Sequence, residues 1–520
     1  MKKLLSLVLV AMATGGSYAQ TKVFKEVNDE ISTQIRMIRQ DDALVGYLAF
    51  TQLEKASADS FNYKITIMDE NLNDIGTVNF REQQLNLQAV SFEQDVLCLA
   101  YLKSNVIGRE FDNIKEYKAS FRESNSYIFT QFLGLNGKII KSNSIEADIT
   151  MSPEPFSRGK KVMGKGKLKE DIQLRNIPQK GYALFYGDDS KKSLIIYNPA
   201  GKKTWEMPIG DDAQAYILLT SGQDVYILLK KKNDMLEGGY ELLSYGTKDS
   251  STYTKLKLKD RRGSALKVLA FDNDPVTGKP FLSGNIISPG RGNDFLSPRQ
   301  IAKGTYTGVF TINVNGHEKS EINEVYTYWE DCDNSFVNKK GYLTSQQAYA
   351  RLERSFKDYE GNTYFTGSSF IKRPKWGSIT AAVVTAPLLF PPIYILAGGT
   401  SKAKVKDAVL LKQNIKGGLS LDNSIEGNTG KFFTASYAMY AKDLRSYYTV
   451  ANSDTKTNYL ILDDTKDIFI YNVNQKKVVR TIAHKDGNIR TYVFPAKEGH
   501  VMVSEYNKKE KYTRYSIEAL

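Results

Sequence analysis

The chain has 520 residues, of which 41% are hydrophobic and 25% are charged, so it is long enough for two to four domains or for one large repeat architecture. Lysine and arginine outnumber aspartate and glutamate by 71 to 58, and there are two cysteines, Cys98 and Cys332. This composition excludes a disulfide-rich scaffold, and the lack of any C-x-x-C pair excludes structural zinc of the paired-cysteine kind.

The first residues, MKKLLSLVLVAMATGGSYAQ, have the three parts of an export signal. Two lysines form the charged start, Leu4 to Ala13 form the apolar stretch, and SYA at positions 17–19 matches the small-x-small cleavage pattern. The apolar stretch is too short to span a bilayer. We therefore predict a signal peptide of residues 1–19 and a mature chain, 20–520, that is periplasmic or secreted. No cysteine stands near the cleavage site, so no lipid anchor is expected.

The mature chain remains basic. Removing the two leader lysines from the 71 basic residues leaves 69 against 58 acidic residues. Nucleic acid is not an expected partner of an exported protein, so we interpret the surplus as a solvated, lysine-rich surface. Acidic glycans or an anionic membrane surface are the alternative partners.

Most of the mature chain consists of short alternating runs separated by Gly, Asn and Asp, which is typical of strands joined by tight turns. One hairpin pattern recurs as ITIMDENLNDIGTVNF from Ile65, YIFTQFLGLNGKIIKSNSI from Tyr127, LIIYNPAGKKTWEMPI from Leu194, YELLSYGTKDSSTYTKLKL from Tyr240, VFTINVNGHEKSEI from Val309, VLLKQNIKGGLSLDNSI from Val409 and IFIYNVNQKKVVRTI from Ile468. A second hairpin precedes several copies, as in LLTSGQDVYILLKKK, FDNDPVTGKPFLSGNI, FKDYEGNTYFTGSSF and FPAKEGHVMVSEY.

The two hairpins together make a four-stranded antiparallel unit. Units start about 45 to 70 residues apart, with one interval near 100, and a unit of this kind and period is typical of a β-propeller blade. We predict an all-β fold, a single propeller of about eight blades, with seven as the alternative because the third unit (171–210) is poorly marked. Two β-sandwich domains or a pair of smaller propellers are the other structural alternatives.

The two ends of the mature chain predict how the ring closes. The last segment supplies three strands, IRTYVF, HVMVSEY and YTRYSIEAL, and the mature start supplies one more around Lys22 to Val27. Pairing the first strand with the last would complete the final blade and leave no loose sheet edge. Cys98 and Cys332 fall in different units, so no disulfide between them is predicted.

The export signal, the DYEGNTYFTGSSF turn and the DAVLLKQN…GGLSLDNSI hairpin together resemble uncharacterised exported β-propeller-like proteins of Bacteroidota. The resemblance spans most of the mature chain, but its motifs are structural turns, so it implies the fold and no catalytic residue. The marks of other propellers are missing, since neither a recurrent W-D dipeptide nor an S-x-D-x-G-x-T-W box occurs.

GKKVMGKG, residues 159–166, approaches a phosphate-binding loop in its glycine spacing and in Lys165. Gly166 stands where Ser or Thr must hold magnesium, and no apolar strand precedes the segment. We interpret it as a flexible basic linker and as the densest basic patch of the chain.

Asp272 and Asp274 in FDNDPVTGKP resemble the start of a calcium loop, but the glutamate that such a loop needs downstream is absent. An Asx-type turn with Pro275 and Gly278 is the better interpretation.

VYTYWEDCDNSF, residues 325–336, brings aromatic rings and carboxylates together. The rings suit stacking on a sugar face, and the carboxylates suit hydroxyl binding, calcium binding or acid–base work on a glycoside. The candidate binding residues are Tyr326, Tyr328, Trp329, Glu330, Asp331 and Asp333. The alternative is an ordinary strand end that enters a long loop.

TSQQAYARLERSF, residues 344–356, predicts a short helix capped by Thr344 or Ser345. Ala348, Leu352 and Phe356 recur at i, i+4 and i+8, as on one helix face. We place this helix in an insertion between blades, residues 323–356.

ITAAVVTAPLLFPPIYILAGG, residues 379–399, carries no charge. It lies in the interval of about 100 residues between two units. If residues 372–406 are an insertion that joins two strands of one blade, the rest of this interval has a length in the range of the other intervals. Three prolines would break a helix in its middle, which argues against a membrane span. We predict a loop or short hairpin packed on the ring, or an exposed apolar patch for a partner or a membrane surface. The candidate contact residues are Trp376, Leu388, Phe390 and Tyr394.

Histidine is the usual general base near neutral pH, and the chain has His317, His484 and His500. None lies in H-E-x-x-H, and no G-x-S-x-G supplies a nucleophile, so all three are interpreted as turn or surface residues. No catalytic set, cofactor or metal site is predicted.

We predict a monomeric, non-enzymatic exported propeller that binds a protein, glycan or envelope component. A carboxylate-dependent glycan hydrolase or lyase, with its site at the propeller channel, is one alternative. An envelope protein that associates with the membrane through residues 379–399 is another.

Overall fold

A computed structural model describes residues 20–25, 32–41, 43–57, 60–151, 162–188, 190–210, 213–231, 239–246, 253–288, 298–374, 401–426, 432–433, 448–463 and 466–520. Within these ranges the chain forms eight antiparallel sheets of four or more strands that follow one another along the sequence, and two small two-stranded sheets. The first long strands of most neighbouring large sheets contact one another, so these sheets are the blades of a β-propeller and their first long strands lie innermost.

The first described strand, β1 (Gln20–Lys25), belongs to the last blade. Blade 1 consists of β2 (Ser32–Gln40), β3 (Ala43–Lys55), β4 (Phe61–Asp69) and β5 (Asp74–Glu82). Blade 2 contains β6 (Leu85–Glu93), β7 (Val96–Ser104), an insertion with β8 (Glu110–Phe111) and helix α1 (Ile114–Arg122), then β9 (Ser126–Gly134) and β10 (Ile139–Glu146). Short strands β11 (Thr150–Met151), β12 (Val162–Met163) and β13 (Gly166–Lys167) precede blade 3. Blade 3 consists of β14 (Glu170–Ile177), β15 (Gly181–Gly187), β16 (Lys192–Tyr197) and β17 (Lys203–Pro208).

The second half of the ring repeats this plan. Blade 4 consists of β18 (Ala213–Ser221), β19 (Asp224–Lys231), β20 (Tyr240–Gly246) and β21 (Tyr253–Leu258). Blade 5 contains β22 (Ala265–Asn273), β23 (Pro280–Ile287), the short helix α2 (Pro298–Ile301), β24 (Tyr306–Val314), the 3-10 turn Lys319–Glu321 and β25 (Ile322–Tyr328), followed by the 3-10 turn Trp329–Asp331. Blade 6 contains β26 (Tyr342–Leu343), β27 (Ala348–Lys357), β28 (Thr363–Pro374), β29 (Ser401–Gln413) and β30 (Leu419–Glu426), with β31 (Phe432–Phe433) beside β29.

Blade 7 consists of β32 (Tyr448–Asn452), β33 (Thr457–Asp463), β34 (Asp467–Asn472) and β35 (Lys477–Ala483). Blade 8 contains β36 (Lys485–Asp486), β37 (Ile489–Pro495), β38 (His500–Asn507), β39 (Tyr512–Ala519) and, as its outermost strand, β1.

Burial within a blade follows from its two neighbours. In blade 3 the middle strands GYALFYG and KSLIIY are buried along their whole length, whereas alternate residues of the outermost strand KTWEMP are exposed. The two neighbouring blades cover both faces of a middle strand, so its sequence is a continuous apolar run. An outer strand is covered on one face only, so its apolar residues alternate with exposed ones. An apolar cluster fills each of the eight interfaces between neighbouring blades. The propeller is therefore one continuous ring of cores.

The predicted ring closure is confirmed. β1 pairs antiparallel with β39, from Gln20 opposite Ile517 to Lys25 opposite Tyr512. The rings of Phe24 and Tyr515 meet edge to face across this pair, with centroids 5.8 Å apart. The blade count of eight is also confirmed, because residues 170–208 form a complete four-stranded blade 3.

The predicted helix over 344–356 is wrong. These residues form the turn before β27 and most of β27 itself, the innermost long strand of blade 6. Ala348, Ala350 and Leu352 are buried and alternate with more exposed neighbours. Because 4 and 8 are even numbers, an i, i+4, i+8 pattern also fits one face of a strand, and tertiary packing selected the strand. Residues 322–328 are the outer strand of blade 5, so the stretch between that strand and β27 is 329–347, and it includes β26, which pairs with β27 in blade 6.

The longer of the two α-helices in the described part of the chain, α1, was not predicted. Asn113 caps it, because its side chain accepts hydrogen bonds from the amides of Lys115 and Glu116, each at 3.0 Å. Tyr117 on α1 is buried, and its hydroxyl donates to the carbonyl of Lys165 at 2.5 Å. Residues 162–167 thus lie in two short strand pairs under α1, which corrects their interpretation as a flexible linker.

The apolar run 379–399 lies outside the described residues, as do Trp376, Leu388, Phe390 and Tyr394. Its flanks are described: β28 and β29 pair from Thr363 opposite Gln413 to Pro374 opposite Ser401. The segment between them therefore joins two neighbouring strands of blade 6, and residues 372–374 and 401–406 of the predicted insertion belong to those strands. No helix in the described part of the chain is long and apolar enough to cross a membrane.

Candidate functional site

Four turns of blades 5 and 6 come together at one end of their interface. In each blade the turn after the first strand and the turn after the third strand lie at the same end of the sheet, because the strands are antiparallel. Between these turns is a cleft of about 260 Å³. It is lined by Asp274, Thr277, Lys279, Pro280, Thr311, Asn313, Asn315, Asn323, Val325, Lys357, Gly361, Thr363, Gln413, Asn414 and Ile415.

An ion pair links the two blades in the wall of the cleft. Lys357, the last residue of β27, places its Nζ 2.6 Å from Oδ2 of Asp274 and 2.5 Å from Oδ1 of Asn313. The side chains of Lys357 and Asp274 are 5% and 9% exposed. Burial alone would raise the pKa of Asp274, but the Lys357 ammonium and two backbone amides hold it below its ordinary value. The charges of Lys357 and Asp274 in this wall therefore neutralise each other.

The predicted Asx turn holds Asp274 in this position. Its Oδ1 accepts hydrogen bonds from the amides of Val276 at 2.9 Å and Thr277 at 3.1 Å. Gly278 closes the turn with a φ of +65°, a conformation that favours glycine. One carboxylate oxygen thus forms the turn, and the other remains for Lys357.

Hydroxyl and amide groups form a second, buried network on the other wall. Thr311 Oγ1 lies 2.7 Å from Gln413 Oε1 and 3.0 Å from Thr363 Oγ1. Gln413 Nε2 donates to Thr327 Oγ1 at 2.7 Å. Because Thr311 is in blade 5 whereas Gln413 and Thr363 are in blade 6, the network fixes the width of the cleft.

The mouth of the cleft is lined by polar side chains that form no hydrogen bond to other described residues. Asn315 and Asn323 are exposed, and their side chains make no hydrogen bond to another described residue. The Lys279 ammonium at the rim is exposed and likewise has no partner within the described ranges. These amides and this ammonium are available to a ligand.

Aliphatic side chains flank the mouth. Val276 and Ile415 are 59% and 65% exposed, which makes them the most exposed large hydrophobic residues of the described part. Val276 lies in the first turn of blade 5 and Ile415 in the last turn of blade 6. Polar groups between apolar flanks are typical of a recognition surface.

The sequence-predicted sugar platform at 326–333 is not formed. Trp329 is 3% exposed and donates from Nε1 to the carbonyl of Tyr306 at 2.9 Å. Tyr328 is 7% exposed, and its hydroxyl donates to Oδ2 of Asp260 at 2.9 Å. Trp329 belongs to the core between blades 5 and 6 and Tyr328 to the core between blades 4 and 5, so neither ring is available to stack on a ligand.

The remaining residues of that segment also have structural partners. Arg262 lies over the Tyr328 ring at 3.6 Å and pairs with Glu330 and Asp331. Asp333 is exposed and caps a turn by accepting from the Ser335 amide at 2.8 Å, which lowers the pKa of Asp333. The Tyr326 hydroxyl donates to the carbonyl of Lys259 at 3.0 Å. No three His, Cys, Asp or Glu side chains converge as a metal site within the described ranges.

His317 has a role that its turn sequence did not reveal. From the last turn of blade 5, its Nδ1 lies 2.9 Å from Ser244 Oγ and its Nε2 lies 3.1 Å from Asp224 Oδ2, both in blade 4. Its ring stacks on Tyr226, with an interplanar angle of 6°. Ser244 is 4% exposed and lies within a middle strand, so this Ser–His–Asp set clamps two blades together and does not present a nucleophile.

The other two histidines lie at turn edges, since His484 follows β35 and His500 is the first residue of β38. His484 Nδ1 lies 3.2 Å from the carbonyl of Thr491. His500 Nδ1 lies 2.7 Å from the carbonyl of Glu498. The two cysteines, Cys98 and Cys332, are free thiols.

Sequence reasoning identified one residue of the cleft, Asp274, and missed Lys357. The available signal was SFKDYEGN, in which a lysine ends a strand immediately before a tight turn. Considered without the rest of the chain, a lysine at the end of a strand is expected to be exposed to solvent. Only the pairing of blades 5 and 6 brings it to Asp274.

No protein-family model and no curated protein matches the sequence. Solved structures of similar fold include the Dos1 propeller, at 8% identity over 95% of this chain and 94% of that one, with a TM-score of 0.43. The WD40 domain of SCAP from fission yeast is 8% identical over 96% and 98%, with a TM-score of 0.40. The Cps50 (Swd1) β-propeller domain of Myceliophteria thermophila is 10% identical over 84% and 100%, with a TM-score of 0.33. At these values no residue role is transferred to this chain.

Proposed function

We propose that the protein is a binding scaffold and that the cleft between blades 5 and 6 holds one residue of a glycan. The observation that carries this proposal is the lining of the cleft, which brings five carboxamide side chains and three threonine hydroxyls around a compensated Lys357–Asp274 pair.

The lining matches a ligand rich in hydroxyl groups. A sugar hydroxyl both donates and accepts hydrogen bonds, and a carboxamide offers both kinds of partner in one rigid plane. The two open amides at the mouth, Asn315 and Asn323, supply such pairs without first losing a protein hydrogen bond. Asp274 and Lys357 already satisfy each other, so this pair does not select for a charged ligand, and Lys279 at the rim is the one charge of the described lining without a partner among the described residues.

The size and flanks of the cleft support a single sugar ring. Ligand pockets for drug-sized molecules measure about 300–1,000 Å³, and this cleft of about 260 Å³ is slightly smaller. Ile415 and Val276 would contact the C–H faces of the bound residue and of its neighbour along the chain. Such a glycan would run across the turns of both blades.

A carboxylate pair for glycoside hydrolysis is not among the cleft residues, since Asp274 is the one carboxylate of the described lining. Its ion pair with Lys357 holds its pKa low, which suits neither a general acid nor a paired acid and base. The lining therefore favours binding over hydrolysis.

A glycan array on the purified chain from residue 20, followed by titration calorimetry with the best ligand, tests the proposal. The variant N315A/N323A should bind about tenfold more weakly, because it removes two hydrogen-bonding groups. N488A, at an exposed turn of blade 8, is the matched control and should bind as the wild type does. Equal binding by all three proteins, or no glycan binding at all, would exclude the cleft as a glycan site.

We further propose that the protein works outside the cytoplasm. The support is the leader sequence, whose expected cleavage point immediately precedes β1. N-terminal sequencing of the protein recovered from its source cells should begin at Gln20. A protein that retains Met1 would contradict the proposal.

A further inference from the structure

A second cluster of charged residues lies on the inner strands of blades 4 to 6, away from the cleft. Its centre is Lys267, the third residue of β22. Asp274 follows the other end of the same strand, so at about 3.3 Å per residue the two positions are roughly 20 Å apart. The cluster is therefore a separate place in the fold.

The strand register turns Lys267 toward blade 6. Lys267 lies opposite Asn285 on β23, and cross-strand partners share a face of the sheet. Asn285 Nδ2 lies 3.5 Å from the carbonyl of Leu352 on β27. Two residues along β23 on the same face, Ser283 Oγ lies 2.7 Å from Ser355 Oγ of that strand. The ammonium of Lys267 is thus held at the interface of the two blades.

Lys267 is poorly satisfied by the protein. An ammonium offers three N–H donors, but within the described ranges its one hydrogen-bond partner is the Tyr306 hydroxyl at 3.3 Å. The Tyr306 ring adds a cation contact at 5.9 Å. A partly buried ammonium with this one weak partner has capacity for an acceptor that the described residues do not supply.

Cations dominate the surroundings. Burial, Arg351 and Lys230 all lower the pKa of Lys267, which falls to about 8, and Glu353 alone opposes them. Glu353 is also bound to Arg351, with Oε1 2.7 Å from Nη2. Burial lowers the pKa of Lys230 as well. Three basic side chains against one carboxylate leave a local excess of positive charge at an inner strand.

The cluster also contains a buried hydrogen-bond acceptor, the side-chain oxygen of Asn285. Asn285 is fully buried, and its Oδ1 has no hydrogen-bond partner among the residues that the structure describes. An unsatisfied buried carbonyl of this kind costs about 1–3 kcal/mol. A ligand that meets all these features carries negative oxygens for the cations and one O–H donor for the amide oxygen.

We propose that Lys267, Arg351 and Asn285 form a site for a hydrogen-phosphate group. Its charged oxygens accept from Lys267 and Arg351, and its O–H donates to Asn285 Oδ1. Sulfate has similar size and charge but carries no proton at neutral pH, so it cannot make the last bond. The site should prefer phosphate over sulfate.

The test is a thermal unfolding and calorimetric titration with inorganic phosphate at pH 7, with ionic strength held constant by chloride. Phosphate should raise the Tm of the wild type and bind at least tenfold tighter than sulfate. K267M should lose the response, whereas K303M, at an exposed lysine of the same blade, should keep it. K267R retains the charge and should retain binding, which guards against misfolding as the cause of a loss.

Three outcomes would overturn the proposal. They are a wild type that does not respond to phosphate, an equal phosphate response of the wild type and a folded K267M, and an equal response of the wild type to phosphate and sulfate. The last outcome would show that the cluster binds anions in general and does not select phosphate.

Discussion

Lys357 of blade 6 and Asp274 of blade 5 are joined by an ion pair 2.6 Å long in which neither side chain is more than 9% exposed. The lysine has a second acceptor in Asn313 and lies 5.3 Å from the Phe281 ring. Both charged groups are therefore desolvated, and each is stabilised by the opposite charge of the other. This relationship connects the stability of one blade interface to the integrity of the cleft beside it.

The first prediction concerns this pair. Lys357→Met should lower the free energy of unfolding by about 3 kcal/mol, because it leaves the Asp274 carboxylate buried without its counter-charge. Chemical denaturation measures the loss. Lys22→Met is the matched control, since it breaks the more exposed Lys22–Asp74 pair, and it should cost less than 1 kcal/mol. A similar small loss in both variants would show that the buried pair contributes no more than a surface pair.

The second prediction concerns the pH dependence of stability. The pKa of Lys267 is lowered to about 8 in the folded protein, whereas an unfolded lysine titrates near 10.4. Between these values the unfolded chain binds more protons, so stability rises as the pH increases through this window. In phosphate-free buffer, urea unfolding at pH 7.5 and 9.5 should show a larger gain for the wild type than for Lys267→Met. Equal gains would mean that Lys267 titrates normally.

The third prediction concerns the clamp between blades 4 and 5. His317→Ala should cost about 1–3 kcal/mol, because Ser244 is buried and loses its partner. Hydrogen exchange should quicken first in β19 and β20, which carry Asp224 and Ser244. His500→Ala removes a ring that contacts the backbone carbonyl of Glu498 and should change stability by less than 1 kcal/mol. A His317 variant as stable as the His500 variant would argue against a clamp.

The fourth prediction separates core from platform at Trp329. Trp329→Ala should destabilise the protein by about 3–5 kcal/mol, as expected for a buried indole. Trp329→Phe should be milder, because it keeps most of the packing and loses the hydrogen bond to Tyr306. Calorimetric titration of Trp329→Phe with the glycan identified for the cleft should give the wild-type affinity. A loss of glycan affinity without a loss of stability would restore the sugar-stacking interpretation.

The fifth prediction concerns the first strand. A chain that lacks residues 20–25 should leave one edge of β39 unpaired and should self-associate. Size-exclusion chromatography with light scattering compares it with the chain that begins at Gln20. A synthetic peptide of residues 20–27 added in excess should restore the monomer by adding the missing strand. A truncated chain that stays monomeric without the peptide would show that β1 does not protect this edge.

The repeat could be predicted because it is local. Each hairpin carries its own alternation and turn residues, and Asp274 with Gly278 specified an Asx turn without help from the rest of the chain. Strand β27 was mistaken for a helix because its apolar spacing fits both periods. Packing against blade 5 decided the matter, and a single segment does not contain that information.

The candidate site was harder to predict because its residues meet only through the ring. Lys357 and Asp274 lie in different blades, 83 residues apart, and His317 meets Asp224 across 93. Trp329 and Tyr328 look like exposed rings in a polar segment, but blade 6 covers Trp329 and blade 4 covers Tyr328. Side chains at blade interfaces thus depend on register between repeats, which the spacing of turns does not reveal.

The pairing of β1 with β39 has a consequence for how the molecule is made. A chain synthesised or threaded through a membrane from its N-terminus presents β1 first and β39 nearly last, so β1 waits for its partner while the seven blades between them form. Bringing the two together is the most non-local step of folding. A product released early keeps an open ring whose terminal blades expose the apolar residues that pack between blades 8 and 1 in the finished protein.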